Sequence, residues 1–300
     1  MGGLVLISDI HGNIDALEAV VADIDAGPPP GEIVCLGDLI GYCPASNEVI
    51  ELLRSLEERY SIRYNLGSHD AAALGRYQFV DLANDDDITT LRAAGLENEA
   101  AVIEEYFKIA ERRFVPVRTT ARDSINWTLE RLSGEAVEFL RERLAETLEI
   151  EPGMISVHGS PRDPLCEYVR DSKTARKVFE SHEMDGVWLC FVGHTHLPVV
   201  WRIERKDLLE MAGSRVCMAQ PEVDHSERVE LDRADFRYIV NVGAVGQPRD
   251  RDPRACYARY SSDEHVIEHI RVEYDIDAAA ARVREAGFAE RIAERLYQGE

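Results

Sequence analysis

The sequence predicts an α/β fold, and three observations carry that prediction. The first third alternates short apolar runs with amphipathic stretches. The last part is dense in short β-rich runs. The candidate functional residues sit where apolar runs stop. Leu4-Val5-Leu6-Ile7 reads as a buried strand. Ile14 to Asp25 follows, with Leu17, Val20, Val21 and Ile24 at helical spacing, and Pro28-Pro29-Pro30-Gly31 breaks it. Ile33-Val34-Cys35-Leu36 is a second strand, Asn47 to Leu56 a second helix and Ser61 to Leu66 a third strand. Strand–helix–strand order of this kind argues for a parallel sheet covered by helices.

The middle differs. From Asn84-Asp85-Asp86-Asp87 to about Leu148 the pattern is mostly helical, and residues 84–148 read as a helical insertion over one end of the sheet, forming a pocket wall or a dimer contact. Asp123 is a candidate cap for the helix before Trp127. Ser133 starts a partial capping box, because Ala136 stands where Glu would complete it. Runs at Met154–Val157, Val187–Val192, Val199–Glu204, Arg215–Ala219, Tyr238–Val242, Cys256–Ser261 and Val266–Tyr274 are β-rich and closely spaced. No long helix is expected between them, so hairpins should dominate. Asp275 caps a helix over Ile276–Ala286, and a last helix covers Ala289–Leu296. With no clear linker, residues 1–300 read as a single domain whose residues 275–300 are C-terminal helices.

Composition excludes several classes. The chain has 300 residues, 45% of them hydrophobic, enough for a sizeable core. No run approaches the roughly 18 apolar residues of a membrane span. No signal peptide is recognisable, so a cytoplasmic location is expected. The six cysteines are scattered without a C-x-x-C and read as reduced, mostly buried thiols. A formal charge of −22 opposes stable nucleic-acid binding but not a phosphoester held by metal ions, which reverse the local sign. Only four of the basic residues are lysine, which fits either a salt-adapted protein or an arginine-rich codon bias.

Five segments carry the chemistry. They are Asp9-Ile10-His11; Gly37-Asp38-Leu39-Ile40-Gly41-Tyr42; Gly67-Ser68-His69-Asp70; His158-Gly159-Ser160-Pro161; and Gly193-His194-Thr195-His196, each after an apolar run. Five of the nine histidines fall there, whereas His182, His225, His265 and His269 read as surface or helical. Strand ends of an α/β sheet deliver ligands to one crevice. Mixed histidine and carboxylate donors suit Mn, Fe, Zn or Ni rather than Ca or Mg. Two such ions about 3.5–4 Å apart generate a hydroxide and clamp a phosphoryl group for in-line displacement.

The order D-x-H, G-D-x-x-G-Y, G-x-H-D, V-H-G, G-H-T-H resembles the calcineurin-like metallophosphoesterases. Val157–Pro164, Gly246-Gln247-Pro248-Arg249-Asp250 and Ala286–Arg291 are similar to the YfcE-like phosphodiesterase branch. The resemblance implies a four-layer αββα sandwich of two mixed β-sheets flanked by helices. It implies two divalent ions, with manganese expected first. Asp9, His11 and His196 would hold one ion and His158 and His194 the other, with Asp38 bridging. His69 would act as general acid or transition-state stabiliser, oriented by Asp70. Arg249 and Arg162 are candidate contacts for the substrate phosphate. The partner is a small phosphoester or nucleotide, most simply a phosphodiester attacked by a metal-bridging hydroxide, and a homo-oligomer is allowed.

One departure matters. The family has an Asn where this chain has Ser68, and a hydroxyl is a shorter, poorer ligand than an amide oxygen. Asn65 is too early and lies within the strand. A weaker second ion is expected, and with it an alternative function: a metal- or nucleotide-binding regulator with attenuated catalysis. Asn241-Val242-Gly243-Ala244 departs from the family's N-P-G-S without removing a ligand. A Ser/Thr phosphatase is disfavoured, because Gly41-Tyr42-Cys43 lacks the D-R-G continuation.

Overall fold

Short, uniformly apolar strands must be covered on both faces, and the architecture does this with two sheets and two helical layers. The structure is a computed structural model and describes residues 3–76, 78–81, 114–117, 119–211 and 214–300. One sheet has seven strands, in the order Arg228–Glu230, Val266–Val272, Ala255–Ser261, Leu4–Ile7, Glu32–Cys35, Ile62–Asn65, Leu144–Ala145. The other has six: Glu222–Asp224, Val199–Glu204, Phe236–Asn241, Leu189–Val192, Met154–Val157, Thr147–Glu151.

Period-two alternation divides the side chains between layers. Leu4, Leu6, Val34 and Leu36 pack between the sheets against Phe191, Val200 and Val240. Val5, Ile7, Ile33 and Cys35 face outward and meet Leu17 and Val20 of the helix Ile14–Ala26, together with Val49 and Leu53 of Ser46–Leu56. On the other side, Cys190, Val192 and Ile239 lie under Ala175, Val178 and Phe179. The layers are therefore helix, sheet, sheet, helix, the sandwich expected from the resemblance.

Leu4–Ile7, Glu32–Cys35 and Ile62–Asn65 run parallel, and so do Met154–Val157, Leu189–Val192 and Phe236–Asn241. A parallel strand needs a crossover. In the second sheet it is the helix Ser172–Glu180, which corrects the expectation that no long helix intervenes there. Its core face is only Ala175, Val178 and Phe179 within a charged stretch, so its pattern is faint.

The middle segment is less helical than expected. Helices Thr119–Leu129 and Gly134–Arg143 are present, but Gln78–Asp81 pairs in parallel with Phe114–Val117, and Leu144–Ala145 and Thr147–Glu151 are strands of the two main sheets. The expected helix over 84–113 lies outside the described residues. Asp123 falls inside its helix, not at the cap. Ser133 does cap, accepting from the Ala136 N–H at 3.0 Å, and Asp275 accepts from Ala278 at 2.9 Å. His269 is buried on a strand and donates from Nε2 to the Asn241 carbonyl at 2.8 Å, not the surface residue expected. The cysteines are free thiols, buried except for the half-buried Cys166. Among the described residues no helix is long and apolar enough to cross a membrane.

Candidate metal centre

Asp9 and His11 follow Leu4–Ile7, Asp38 follows Glu32–Cys35, and Ser68 and His69 follow Ile62–Asn65. His158 follows Met154–Val157, and His194 and His196 follow Leu189–Val192. Because these strands are parallel within each sheet, their C-terminal ends meet at one edge of the sandwich, and the side chains converge there, all buried. Three overlapping groups have donor atoms within 4.8 Å of one another: Asp9/His11/His196, Asp38/His158/His194 and His11/Asp38/His69. Asp38 joins the first two, with Oδ2 3.6 Å from His11 Nε2 and 3.2 Å from His158 Nε2.

The backbone bends sharply to make this possible. Asp9, His11, Asp38, His194 and His196 all have φ between 50° and 63°, a left-handed conformation that Asp and His tolerate better than most residues. Two glycines make room. A Cβ at Gly41 would lie 2.2 Å from His69 Nδ1, and one at Gly67 would lie 2.0 Å from the Asp38 backbone nitrogen.

Hydrogen bonds fix the tautomers. His11 Nδ1–H donates to the Ile40 carbonyl (3.1 Å), His158 Nδ1–H to Leu36 (2.8 Å), His194 Nε2–H to Cys166 (3.2 Å) and His196 Nδ1–H to Gln247. A carbonyl only accepts, so each of these nitrogens carries the proton and the opposite nitrogen presents a lone pair. Those lone pairs face one another, His11 Nε2 to His196 Nε2 at 3.3 Å and His158 Nε2 to His194 Nδ1 at 3.0 Å. Two lone pairs cannot share a hydrogen bond. Metal–nitrogen bonds of about 2.0–2.1 Å place adjacent ligand nitrogens roughly 2.9–3.4 Å apart, which fits both pairs. Asp9 Oδ1 is buried without a hydrogen-bond donor and lies 3.2 Å from the His196 lone pair. The donor set fits cations in these gaps.

The electrostatics agree. Burial, then the neighbouring His69, holds His11 well below the usual imidazole range, and burial, then His158, does the same to His194. Burial, then Arg249, lowers His196. Burial opposes ionisation of Asp9, but His196 and His158 together outweigh it and hold the carboxyl below its usual range. His158 is the exception: burial disfavours its imidazolium, yet Asp38 raises it to about 9.

Ser68 points into the centre, with Oγ 3.3 Å and 3.4 Å from the two Asp38 oxygens. Asn65 is engaged elsewhere, donating to the Ser156 carbonyl (2.9 Å) and accepting from the Ser156 hydroxyl (2.7 Å). His69 donates its backbone N–H to Asp38 Oδ1 at 2.8 Å, and its ring lies 4.7 Å from that of His11. Burial lowers its imidazole to about 4, so it is neutral. Asp70 does not act as expected. Its oxygens accept from the Leu39 and Gly67 N–H groups at 3.0 and 3.1 Å, bracing two loops. Burial, then Asp38, raises its carboxyl to about 7.

Arg249 reaches the centre, and Arg162 is held outside it. The Arg249 guanidinium lies 5.7 Å from the Tyr42 ring and donates to Gln247 Oε1 at 3.2 Å. Arg249 Nε and Gln247 Nε2 are both buried donors without a hydrogen-bond partner. Arg162 pairs with Glu167 at 3.1 Å, so its charge is taken up by its own loop. Sequence reasoning gave no role to Tyr42, whose ring is 4.7 Å from His11 and 4.9 Å from His69. It also missed Tyr168, stacked on His194 at 3.9 Å. The G-D-x-x-G-Y motif contained the first; nothing in the sequence flagged the second.

A sequence model of the calcineurin-like phosphoesterase family matches residues 4–198, the segment that carries all the metal-facing side chains. The chain belongs to the calcineurin-like phosphoesterases. Members are metal-dependent hydrolases of phosphoesters. An uncharacterized protein of Methanocaldococcus jannaschii is 30% identical over 99% of this chain and 98% of its own length. A metallophosphoesterase from Sphaerobacter thermophilus superposes with a TM-score of 0.69 at 34% identity, covering 100% of this chain and 99% of that one. A local likeness of 39% identity over 72 residues, 24% of each chain, links it to the symmetrical bis(5'-nucleosyl)-tetraphosphatase of Yersinia enterocolitica.

Proposed function

We propose that this phosphoesterase hydrolyses a nucleotide-type phosphoester or a small phosphodiester at a two-ion centre. The observation that carries the reading is the pair of facing imidazole lone pairs, each locked by backbone carbonyls, with Asp38 between them. Asp9, His11 and His196 would hold one ion and His158 and His194 the other, with Asp38 within reach of both groups. Manganese suits this mixture of nitrogen and oxygen donors. When bound, the ions supply a nucleophile at neutral pH and neutralise phosphoryl charge.

The remaining residues act on the substrate. Arg249 and Gln247 offer unmet donors to the phosphoryl oxygens, and a charge-assisted hydrogen bond from Arg249 both orients and stabilises them. His69, neutral and buried, donates an N–H to the leaving oxygen, which favours its role as transition-state stabiliser. Tyr42 packs between His11 and His69 and fixes both rings. The local likeness to a dinucleoside tetraphosphatase supports a nucleotide-type substrate.

Ser68 supports a second reading, in which the ion beside His158 is weakly held and catalysis is attenuated. Its hydroxyl reaches Asp38 but offers no amide oxygen. The test is metal analysis of the purified protein together with hydrolysis of bis(p-nitrophenyl) phosphate. Two ions and turnover support the first reading. One ion without turnover, with turnover recovered in Ser68→Asn, supports the second. No turnover in either protein, with both ions bound, would overturn the hydrolase reading.

A further inference from the structure

One imidazole of the centre is presented differently from the others. His11, His158 and His196 anchor Nδ1 to a carbonyl and turn Nε2 inward, whereas His194 anchors Nε2 and turns Nδ1 inward. Nδ1 lies beside the bond to Cβ, so a ring that offers Nδ1 points its far edge, with Nε2, away from the ion. That far edge needs support from another part of the chain. The loop between His158 and the helix Ser172–Glu180 supplies it twice. The Cys166 carbonyl accepts from Nε2–H at 3.2 Å, and the Tyr168 ring lies flat on the imidazole, with centroids 3.9 Å apart and planes 18° from parallel. His194 is 3% exposed and Tyr168 39%, so the phenol ring stands between the imidazole and solvent.

The loop is tightly braced for this task. The Gly159 N–H donates to the Pro164 carbonyl at 2.7 Å, and a Cβ at Gly159 would lie 2.7 Å from the Asp163 carbonyl oxygen. Asp163 Oδ1 accepts the N–H groups of Leu165 and Cys166 at 3.2 and 3.1 Å. Ser160 Oγ donates to Glu167 at 2.6 Å, and Arg162 holds the other Glu167 oxygen at 3.1 Å. Leu165 is buried in one core cluster and Val169 in another, beside Val178 and Phe179, so both flanks of Tyr168 are pinned. The Arg170 guanidinium lies over the Tyr168 ring at 4.7 Å. An imidazole that gives its lone pair to a cation becomes electron-poor, and the face of a phenol is electron-rich, so this stack strengthens when an ion is held.

We infer that Tyr168 is a positioning residue of the second ion: stacked on His194, it holds the imidazole in the orientation that presents Nδ1 toward His158. The inference rests on the two-ion reading and deepens it. It gives the half of the centre that has Ser68 a support of its own, because fewer good ligands make the aim of each remaining one matter more. The ring, not the hydroxyl, does the work, since the ring is what covers the imidazole.

The test is a calorimetric titration of the full chain with Mn²⁺, after a chelator has stripped it and been removed. Tyr168→Leu should weaken the second binding step about tenfold, the low end of what a partner behind a metal ligand contributes, and leave the first step unchanged. Tyr168→Phe keeps the ring and should bind the second ion as the wild type does. The unchanged first step shows that the Leu variant is folded. An unaltered second step in Tyr168→Leu would overturn the inference. So would a Phe variant as weak as the Leu variant, which would assign the effect to the hydroxyl, or a fall in both steps together, which would make the loop a general requirement of the fold. The two readings fail separately. A Tyr168-dependent second step in a protein that hydrolyses no phosphoester removes only the hydrolase reading. An active hydrolase whose second step ignores Tyr168→Leu removes only the inference. A wild type with a single Mn²⁺ step removes the two-ion reading and the inference with it.

Discussion

The two halves of the centre use the same residue types and differ in how completely they are furnished. Around Asp9, His11 and His196 every atom that does not face the gap is occupied. Ser8 Oγ and the His194 backbone N–H both donate to Asp9 Oδ2, and each imidazole is anchored to a carbonyl. All three groups are held in the protonation state a cation needs. The half with His158 and His194 has the same carbonyl anchors, but Asp38 draws the His158 imidazole up to about 9 and the remaining position is Ser68. An ion held there would compete with the proton that Asp38 favours on His158 and would do without an amide oxygen. On the proposed reading the first half is preorganised, and the second would be completed by the ion it takes up.

The comparison breaks most completely at the residue the halves share. Asp38→Asn should lower turnover by more than about 100-fold and leave one bound ion or none, as read by elemental analysis, since even the outer partners of a metal site are worth about that much. Two ions retained at full occupancy would show that Asp38 is not shared. His69→Ala separates chemistry from metal binding. It should cost roughly 10²–10⁴-fold in kcat with a poor leaving group while the metal count stays the same. A parallel loss of metal would instead make His69 a ligand. Ser68→Asn acts on the weaker half alone. The affinity for the second ion should rise about 10–100-fold in a calorimetric titration, with the first binding step unchanged. The smallest effect is on stability. Adding a chelator to protein holding its tighter ion at about 100 times Kd should remove roughly 2.7 kcal/mol, visible as a fall in Tm that depends on metal concentration.

The strand-end side chains of both halves were legible in the sequence. Asp9-Ile10-His11 and Gly193-His194-Thr195-His196 are local patterns at the ends of apolar runs, where strand geometry fixes in advance where a side chain goes. The parallel core strands were legible for the same reason, because uniform burial leaves uniform apolarity. Contacts that depend on tertiary closure were not. Arg295 and Tyr42 are brought together from opposite ends of the chain, and no spacing rule joins them. Tyr168 became part of the site only when its loop folded over His194. Asp70 was misread because a carboxylate beside a histidine suggests a catalytic pair, whereas here two backbone N–H groups claimed it. The helix Ser172–Glu180 was hidden by its charge and His269 by the alternation of its strand.

The left-handed backbone at Asp9, His11, Asp38, His194 and His196 has a consequence for how such a protein can change. Each of these residues holds a conformation its side chain disfavours, and the fold carries that cost whether or not an ion is present. A descendant that abandoned hydrolysis and accepted glycine at these turns would gain thermal robustness as it lost its chemistry. Keeping five such positions therefore sets a ceiling on stability for as long as the activity is under selection.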